Sequence, residues 1–256
     1  ELKENMNIRI QDERLFRIRD LADSMGVRIF CADRQLGISG GLLALASIVK
    51  NKDDNILFLE EDWRLVTTDM KHTESSIREA SEMLSRGEAH VVKLRHRTSP
   101  GIPNCASVWK DKTHLMTRLL SPHTNGNRSI CSSVYWIQDP SQVFPGLVWR
   151  CGNTSHCSRS RHCSWTNNPH LVSLSWWLGN IGPVARADMS HMDNNRNDWE
   201  KGRLEPAMNH APFLWDDMEY VIAHQGTGLF EHADIDRPVS QQSSCGSFDF
   251  VLDDGA

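Results

Sequence analysis

Three consecutive carboxylates, Glu60-Glu61-Asp62, follow four large apolar residues without a break. Because adjacent like charges repel, such a cluster at a strand end is tolerated most easily when a cation neutralises it. A hard divalent ion, Mg²⁺ or Mn²⁺, suits these oxygen ligands and keeps coordination positions free for substrate phosphates. The pattern therefore predicts a metal site, and the alternative is a solvated acidic turn.

A second acidic group, formed by Asp216, Asp217 and Glu219, lies far along the chain. An enzyme that transfers a group to a hydroxyl with inversion needs a general base within hydrogen-bonding reach of that hydroxyl. Asp217 is the first candidate for this base, Asp216 the second and Glu219 the third. The alternative is a helix N-terminus at which acidic side chains interact favourably with the helix dipole.

Amide and indole side chains come close together in the sequence at Asn168 and at the adjacent Trp176 and Trp177. Indole faces pack well on the apolar faces of sugars, and amides form hydrogen bonds with hydroxyls. These residues are therefore predicted to form a wall of an acceptor-binding site. The alternative is that the tryptophans pack in the core, which must hold for most of the nine in this chain.

The seven cysteines cannot all pair within one chain, but Cys151, Cys157 and Cys163 are closely spaced. Their spacing is a weak match to a structural zinc site, and a disulfide between two of them is an equal alternative. Two sequons, at residues 127–129 and 153–155, permit N-glycosylation in a secretory compartment. The sequence leaves the location open between the cytoplasm, a membrane-associated state and the Golgi lumen.

The first half of the chain alternates short strands and helices, which must position these side chains. Strands are predicted at residues 7–11, 27–31, 56–59 and 89–94. Helices are predicted at residues 15–25, at residues 42–50 and from Thr68 or Asp69 to Gly87, and residues 33–41 are expected to form a glycine-bearing loop.

This alternation predicts an open α/β fold with a mixed, mainly parallel sheet flanked by helices. Ligands bind beyond the carboxyl ends of the strands in such sheets, which is where the acidic triplet falls. After residue 100 the pattern becomes irregular and rich in Trp and Cys. We expect one domain with a nucleotide-sugar-binding half at residues 1–100 and an acceptor-binding, catalytic half at residues 101–256.

Residues 27–42 and the run Ile56-Leu-Phe-Leu-Glu-Glu-Asp62 resemble the nucleotide-binding half of family 2 and related GT-A glycosyltransferases, and the likeness covers residues 7–95. In those enzymes a strand leads to a glycine-rich turn, a helix and a strand that ends in an acidic motif. The resemblance implies that Asp62 binds the metal directly. It further implies that Asp12 contacts the base of the donor and that Glu60 and Glu61 support the ribose or the metal shell. The turn that holds Gly37 and Gly40 is then part of the donor-binding site.

The resemblance extends to two features in the second half. The run Trp215-Asp-Asp217 is similar to the Trp-Asp-Asp segment of some Golgi N-acetylglucosaminyltransferases. Several GT-A enzymes supply a late histidine to the metal or the pyrophosphate, and His232, after a glycine-rich turn, is the matching residue. The alternative for His232 is an ordinary packed or surface histidine.

The implied activity is metal-dependent transfer of a sugar, with UDP-sugar the first choice of donor, to a saccharide or lipid-linked acceptor. Two alternatives stay open, a catalytically impaired relative that binds sugar nucleotides and a metal-dependent phosphohydrolase. The catalytically impaired relative is favoured by Gly41-Leu42, which occupy the positions where the family often has Arg-Asn. A net charge of −5 gives no basic field for nucleic acid, and no apolar run reaches the roughly 20 residues of a membrane span.

Overall fold

The computed structural model describes residues 16–17, 20–24, 26, 36–49, 51, 54–60, 63–67, 69–96, 139–163, 165–192, 204–210, 215 and 219–232. The chain divides into two compact units, residues 1–37 and residues 38–256. In the first unit, residues 16–17 and 20–24 are helical, and Gly26 has a φ of 66°, in agreement with the predicted helix and its end. The strands predicted at residues 7–11 and 27–31, and Asp12, lie outside the described residues.

The described helices and strands follow one another as short elements. In chain order they are α1 (Gly37–Ile48), β1 (Asn55–Phe58), β2 (Trp63–Leu65), α2 (Met70–Ser85), β3 (Val91–Lys93), α3 (Pro140–Val143), β4 (Val148–Cys151), β5 (Ser155–Arg159), a 3₁₀ turn (Ser160–His162), β6 (His170–Ser173), α4 (Leu174–Asn180), α5 (Gly182–Met192), α6 (Glu205–His210), β7 (Val221–His224) and β8 (Phe230–His232).

Helix α2 forms where the sequence predicts it. The Asp69 carboxylate caps its N-terminus and accepts hydrogen bonds from the backbone N–H groups of Lys71 and His72, at 3.0 and 3.3 Å. The helix buries Ala80 and Met83, which lie on one face because they are three residues apart. Gly87, with a φ of 68°, ends the helix in the left-handed conformation that glycine adopts without strain.

Helix α1 begins earlier than the sequence predicts, at Gly37 rather than residue 42, so the expected glycine loop is wrong from residue 37 onward. Gly40 is buried inside the helix. Ile38, Leu42 and Leu43 pack against the core on the same helix, and this apolar contact outweighs the roughly 1 kcal/mol that an interior glycine costs. Helix packing thus overrides the local signal of the glycines.

Six strands form one sheet in the order β1-β6-β3-β7-β5-β4, and β2 pairs with β8 in a second sheet. Only the β3–β7 pair is parallel among the described strands. The α/β class is therefore confirmed, but the described sheet is mixed and mainly antiparallel, where a mainly parallel one was predicted. The difference arises because β6, from the second half of the chain, lies between β1 and β3 and runs opposite to both.

Alternate residues of the large sheet face two layers of helices, as the period of two in a strand requires. One face, with Val91, Val172 and Ile222, packs against residues of α1, α4, α5 and α6. The other face, with Val92, Leu171 and Ala223, packs against α2. Strands from both sides of residue 100 share this core, so the two expected halves contribute to one sheet. None of the helices in the described ranges combines the length and apolar character that crossing a bilayer requires.

Candidate functional site

The carboxyl ends of β1 and β3 lie at the same end of the large sheet. Strand β6 is antiparallel to both, and His170, its first residue, is paired with Phe58 on one side and with Lys93 on the other. Glu60 follows β1 and Asn168 precedes β6, so both lie at this end of the sheet. The structure therefore brings together two of the predicted site residues, Glu60 and Asn168, beside a lysine and a histidine that were not predicted.

Lys93 is a buried cation at this end of the sheet, 4% exposed. Its Nζ donates to the carbonyl oxygen of Thr166 at 2.7 Å and to the Thr166 hydroxyl at 3.1 Å, and it lies 5.4 Å from the centre of the Trp165 ring. No carboxylate of the described chain lies within ion-pair distance of it. Burial lowers the pKa of Lys93 to about 7, although the charges of Glu205 and Glu60 act in the opposite direction.

His170 is neutral and offers a hydrogen-bond acceptor. Its Nδ1 lies 2.6 Å from the carbonyl oxygen of Asn168, which can only accept, so the ring proton is on Nδ1. Burial and, to a lesser extent, the neighbouring Lys93 hold the pKa of His170 well below its usual range. The lone pair on Nε2 is buried and has no hydrogen-bond partner among the residues that the structure describes.

The small sheet pairs His232 with Trp63, the residue that follows the acidic triplet in the sequence. His232 is the register partner of Trp63, and the two rings meet edge to face with centres 5.0 Å apart. Trp63 follows Asp62 directly in the chain, and the backbone N–H of Trp63 donates to the carbonyl oxygen of Glu60 at 3.4 Å. Glu61 and Asp62 lie outside the described residues.

Arg95 adds a cation to this region. Its guanidinium lies 5.3 Å from the centre of the Trp63 ring, and the side chain is buried. The main chains of Arg95 and Phe230 form an isolated parallel β-bridge, which connects the end of β3 to the small sheet. The Trp63 indole thus lies next to both Arg95 and His232.

The glycine-rich turn between β7 and β8 allows this approach of the main chain. Gly228 has a φ of 69°, and a Cβ at this position would overlap the carbonyl group of Arg95. A Cβ at Gly226 would overlap Thr154. The amides of Leu229 and Phe230 both donate to the carbonyl oxygen of Leu94, at 2.7 and 3.1 Å. Glycine is therefore required here for packing, independently of any ligand.

Trp215 anchors the start of the second acidic segment. It is buried, its Nε1–H donates to the carbonyl oxygen of Cys163 at 2.6 Å, and its own carbonyl oxygen accepts from the Ser160 hydroxyl at 2.5 Å. Its ring meets Trp165 edge to face at 5.1 Å, and Trp165 in turn contacts His170 at 5.2 Å. A continuous aromatic path therefore connects Trp215 to His170, whereas Asp216 and Asp217 lie outside the described residues.

Glu219, the third candidate for the catalytic base, lies at the opposite end of the sheet from Glu60, contrary to the prediction. It is exposed, pairs with Arg161 at 2.7 Å and accepts through its carbonyl oxygen from Arg159 at 3.1 Å. It lies just before β7, whose first residue is paired with Arg159. Because β3 and β7 are parallel and β1 runs in the same direction, the start of β7 and the end of β1 are at opposite ends of the sheet.

The predicted acceptor wall is also corrected. Trp177 is fully buried, with its ring 5.7 Å from that of Phe58, so it packs in the core and cannot offer a face to a sugar. Trp176 is half-buried and contacts His90 and Tyr220, the residues that precede β3 and β7. It therefore lies at the opposite end of the sheet from Glu60. Asn168 alone of the three lies at the expected end.

The clustered cysteines form disulfides. Cys151 and Cys157, on the paired strands β4 and β5, are joined to each other, and Cys163 is also disulfide-bonded. Since disulfide sulfur is not a thiolate ligand, the zinc interpretation is wrong and its alternative is confirmed.

The site residues that were not predicted from the sequence are Lys93, Arg95, Thr166 and His170. Lys93 carried a signal, because a lysine inside the apolar run Val91-Val-Lys-Leu94 must be buried if that run is a central strand. The described ranges contain no group of three or more His, Cys, Asp or Glu side chains placed to hold a metal. Comparisons with protein-family models, with curated proteins and with solved structures found no match to this chain.

Proposed function

We propose that this chain is a metal-dependent glycosyltransferase that moves a sugar, with inversion, from a nucleotide-diphosphate donor to a saccharide or lipid-linked acceptor. The observation that carries the proposal is the register of the small sheet, in which His232 is paired with Trp63. The resemblance implies that Asp62 and His232, which are 170 positions apart in the chain, both bind the metal, and the register pairs His232 with the residue that follows Asp62. Mn²⁺ or Mg²⁺ is the proposed cofactor.

The charges around this register suit a departing diphosphate. Asp62 and His232 would hold the divalent metal, which would supply positive charge to offset the negative charge that develops on the diphosphate. Arg95, over the Trp63 ring, supplies a further positive charge in a water-poor environment, where its effect is stronger than in bulk water. Glu60 is proposed to support the metal shell or the ribose.

The acceptor side of the reaction is proposed to use Asp217. Trp215, two residues earlier, is held by a hydrogen bond from the Ser160 hydroxyl to its carbonyl oxygen and by one from its Nε1–H to the Cys163 carbonyl. Its ring contacts Trp165, which contacts His170 at the end of the sheet that holds Glu60. Asp217 would accept the proton of the acceptor hydroxyl as the new bond forms, and Asp216 is the second candidate. Asn168, at the end of the sheet that also holds Glu60, is proposed to bind acceptor hydroxyls.

A GT-A arrangement is part of this proposal. The parallel β3–β7 pair and the acidic residue after β1 agree with ligand binding at the carboxyl ends of strands. The disulfides favour an oxidising compartment, because such bonds rarely persist in the cytosol. We therefore infer the Golgi lumen, rather than the cytoplasm, as the place of action.

Release of free nucleotide from a panel of nucleotide sugars, with Mn²⁺ and with or without saccharide acceptors, tests the proposal. Acceptor-dependent release of the nucleoside diphosphate is expected for at least one donor, and Asp62→Asn should abolish it without lowering the midpoint of thermal unfolding. A binding relative would bind the donor without release. A phosphohydrolase would release phosphate regardless of acceptor, and either result would contradict the proposal.

A further inference from the structure

Asn153 lies on the turn between β4 and β5, in the sequence Asn153-Thr-Ser155. The residue is exposed, and its side-chain amide makes no hydrogen bond within the described ranges. Its backbone N–H donates to the Glu79 carboxylate at 3.1 Å, so the main chain rather than the side chain holds the turn in place. The amide is therefore available for chemistry without any loss of a folded-state contact.

Ser155 presents the opposite situation. It is 1% exposed, and its hydroxyl has no hydrogen-bond partner among the described residues. A buried hydroxyl without a partner opposes folding, because it loses its hydrogen bonds to water and gains none. Alanine would fill nearly the same space without this cost. The fold therefore gives no reason for a hydroxyl at this position, whereas recognition of an Asn-x-Ser sequence requires one.

The disulfides point to the compartment in which such recognition occurs. Cys151 and Cys157 enclose Asn153 within a six-residue separation, and Cys163 is also oxidised. Disulfides form in oxidising compartments such as the endoplasmic reticulum. The sequon, its exposed amide and an oxidising location are three separate observations that agree.

We propose that Asn153 carries an N-linked glycan that is attached before the chain folds and buries Ser155. In this step a bond forms between Asn153 Nδ2 and C1 of an oligosaccharide carried on a lipid diphosphate. The bond between C1 and the diphosphate oxygen breaks, the lipid diphosphate leaves, and the amide loses one proton. This proposal does not depend on the proposed transferase activity, because here the chain receives a glycan from another enzyme and does not transfer one.

The test is expression of the full chain behind a secretory leader in eukaryotic cells, with the other sequon removed by Asn127→Gln. Total cell protein is treated with peptide-N-glycosidase in ¹⁸O water, and the peptide that contains residue 153 is analysed by mass spectrometry. We expect ¹⁸O-labelled aspartate at position 153, its loss in Ser155→Ala and its retention in Ser155→Thr. Because the modification precedes folding, a folding defect cannot hide it. Unmodified asparagine at position 153 in the parent chain would overturn the proposal.

A second measurement tests the argument about the hydroxyl. In protein made without glycosylation, Ser155→Ala should leave the midpoint of thermal unfolding unchanged or raise it. A lower midpoint would mean that the hydroxyl has a structural role, and the inference from its burial would fall.

Discussion

His232 is paired with Trp63 across the β2–β8 ladder, and the imidazole meets the indole edge to face at 5.0 Å. This contact places the histidine beside Trp63, the residue that follows Asp62 in the sequence. Neither residue's position follows from local sequence, because the two strands are separated by most of the chain. The relationship is the basis of the first prediction.

We expect His232→Gln to weaken Mn²⁺ binding at least tenfold, roughly the smallest effect of removing groups around a metal site, while the protein stays folded. Isothermal titration with Mn²⁺ in the presence of the nucleoside diphosphate measures the change. His72→Gln is the matched control, because His72 is on α2 and contacts Thr227 rather than Trp63. Equal Mn²⁺ affinity in His232→Gln and the parent protein would remove His232 from the metal site.

Asp217→Asn should lower turnover by roughly 10²- to 10⁴-fold, the usual contribution of general acid–base catalysis, and leave donor affinity unchanged. Trp215→Phe removes the hydrogen bond to the Cys163 carbonyl and should produce a smaller loss of the same kind, because it acts only by loosening the segment. Initial rates and donor dissociation constants separate these effects. If donor affinity falls as much as turnover, Asp217 has a structural role instead.

The stability of the protein should rise with pH above neutrality because of Lys93. Burial holds the pKa of this lysine at about 7, against 10.5 for the ordinary side chain. Between these values the unfolded chain binds more protons than the folded chain, so the free energy of unfolding increases with pH, by up to ~1.4 kcal/mol per pH unit. Urea unfolding across this range should show the slope in the parent protein and in the control Lys71→Met, but not in Lys93→Met. A slope that persists in Lys93→Met would assign it to another group.

Gly228→Ala should destabilise the fold more than Gly87→Ala. Both glycines have a positive φ, 69° and 68°, but a Cβ at Gly87 meets open space, whereas at Gly228 it overlaps Arg95. The left-handed conformation alone costs about 1–2 kcal/mol in each case, and the overlap adds roughly 1–3 kcal/mol at position 228. Denaturant unfolding of the two variants measures the difference. Equal losses would show that the turn can move away from Arg95.

The local elements of the first half could be predicted because their signals are local. The capping carboxylate of Asp69, the shared face of Ile77, Ala80 and Leu84 and the terminal Gly87 all belong to one helix and its ends, and the structure agrees with each. The strands near residues 56 and 91 were predicted from continuous apolar runs, which are typical of strands buried on both faces. Strand β3 is buried, but the burial predicted for residues 56–59 is wrong, because β1 is at the edge of the described sheet and leaves Leu57 and Leu59 exposed. Such runs give no strand direction, so the insertion of β6 between β1 and β3 could not be foreseen.

The candidate site was predictable only in part. Carboxylates and histidines are recognisable as candidate ligands from residue type alone, so Glu60 and His232 could be named from the sequence, and their roles remain predictions. Glu219 and Trp177 have suitable chemistry but lie in the wrong place, because the sheet puts one at its far end and the other in the core. Lys93 and Arg95 were overlooked because their roles depend on rings, Trp165 and Trp63, that only tertiary structure brings to them.

Strand β7 connects the two parts of the large sheet, β1-β6-β3 and β5-β4. Among the described strands it alone joins β3 on one side to β5 on the other, and each of its pairing partners in β3 precedes it by 131 residues, as in the pair Val91 and Ile222. Closing so long a segment is slow, because its entropy is lost before the pairing is gained. During synthesis on the ribosome, strands β1, β6 and β3 would therefore stay unpaired with strands β5 and β4 until residues 221–224 emerge. A nascent chain of this kind would depend on chaperones late in its synthesis.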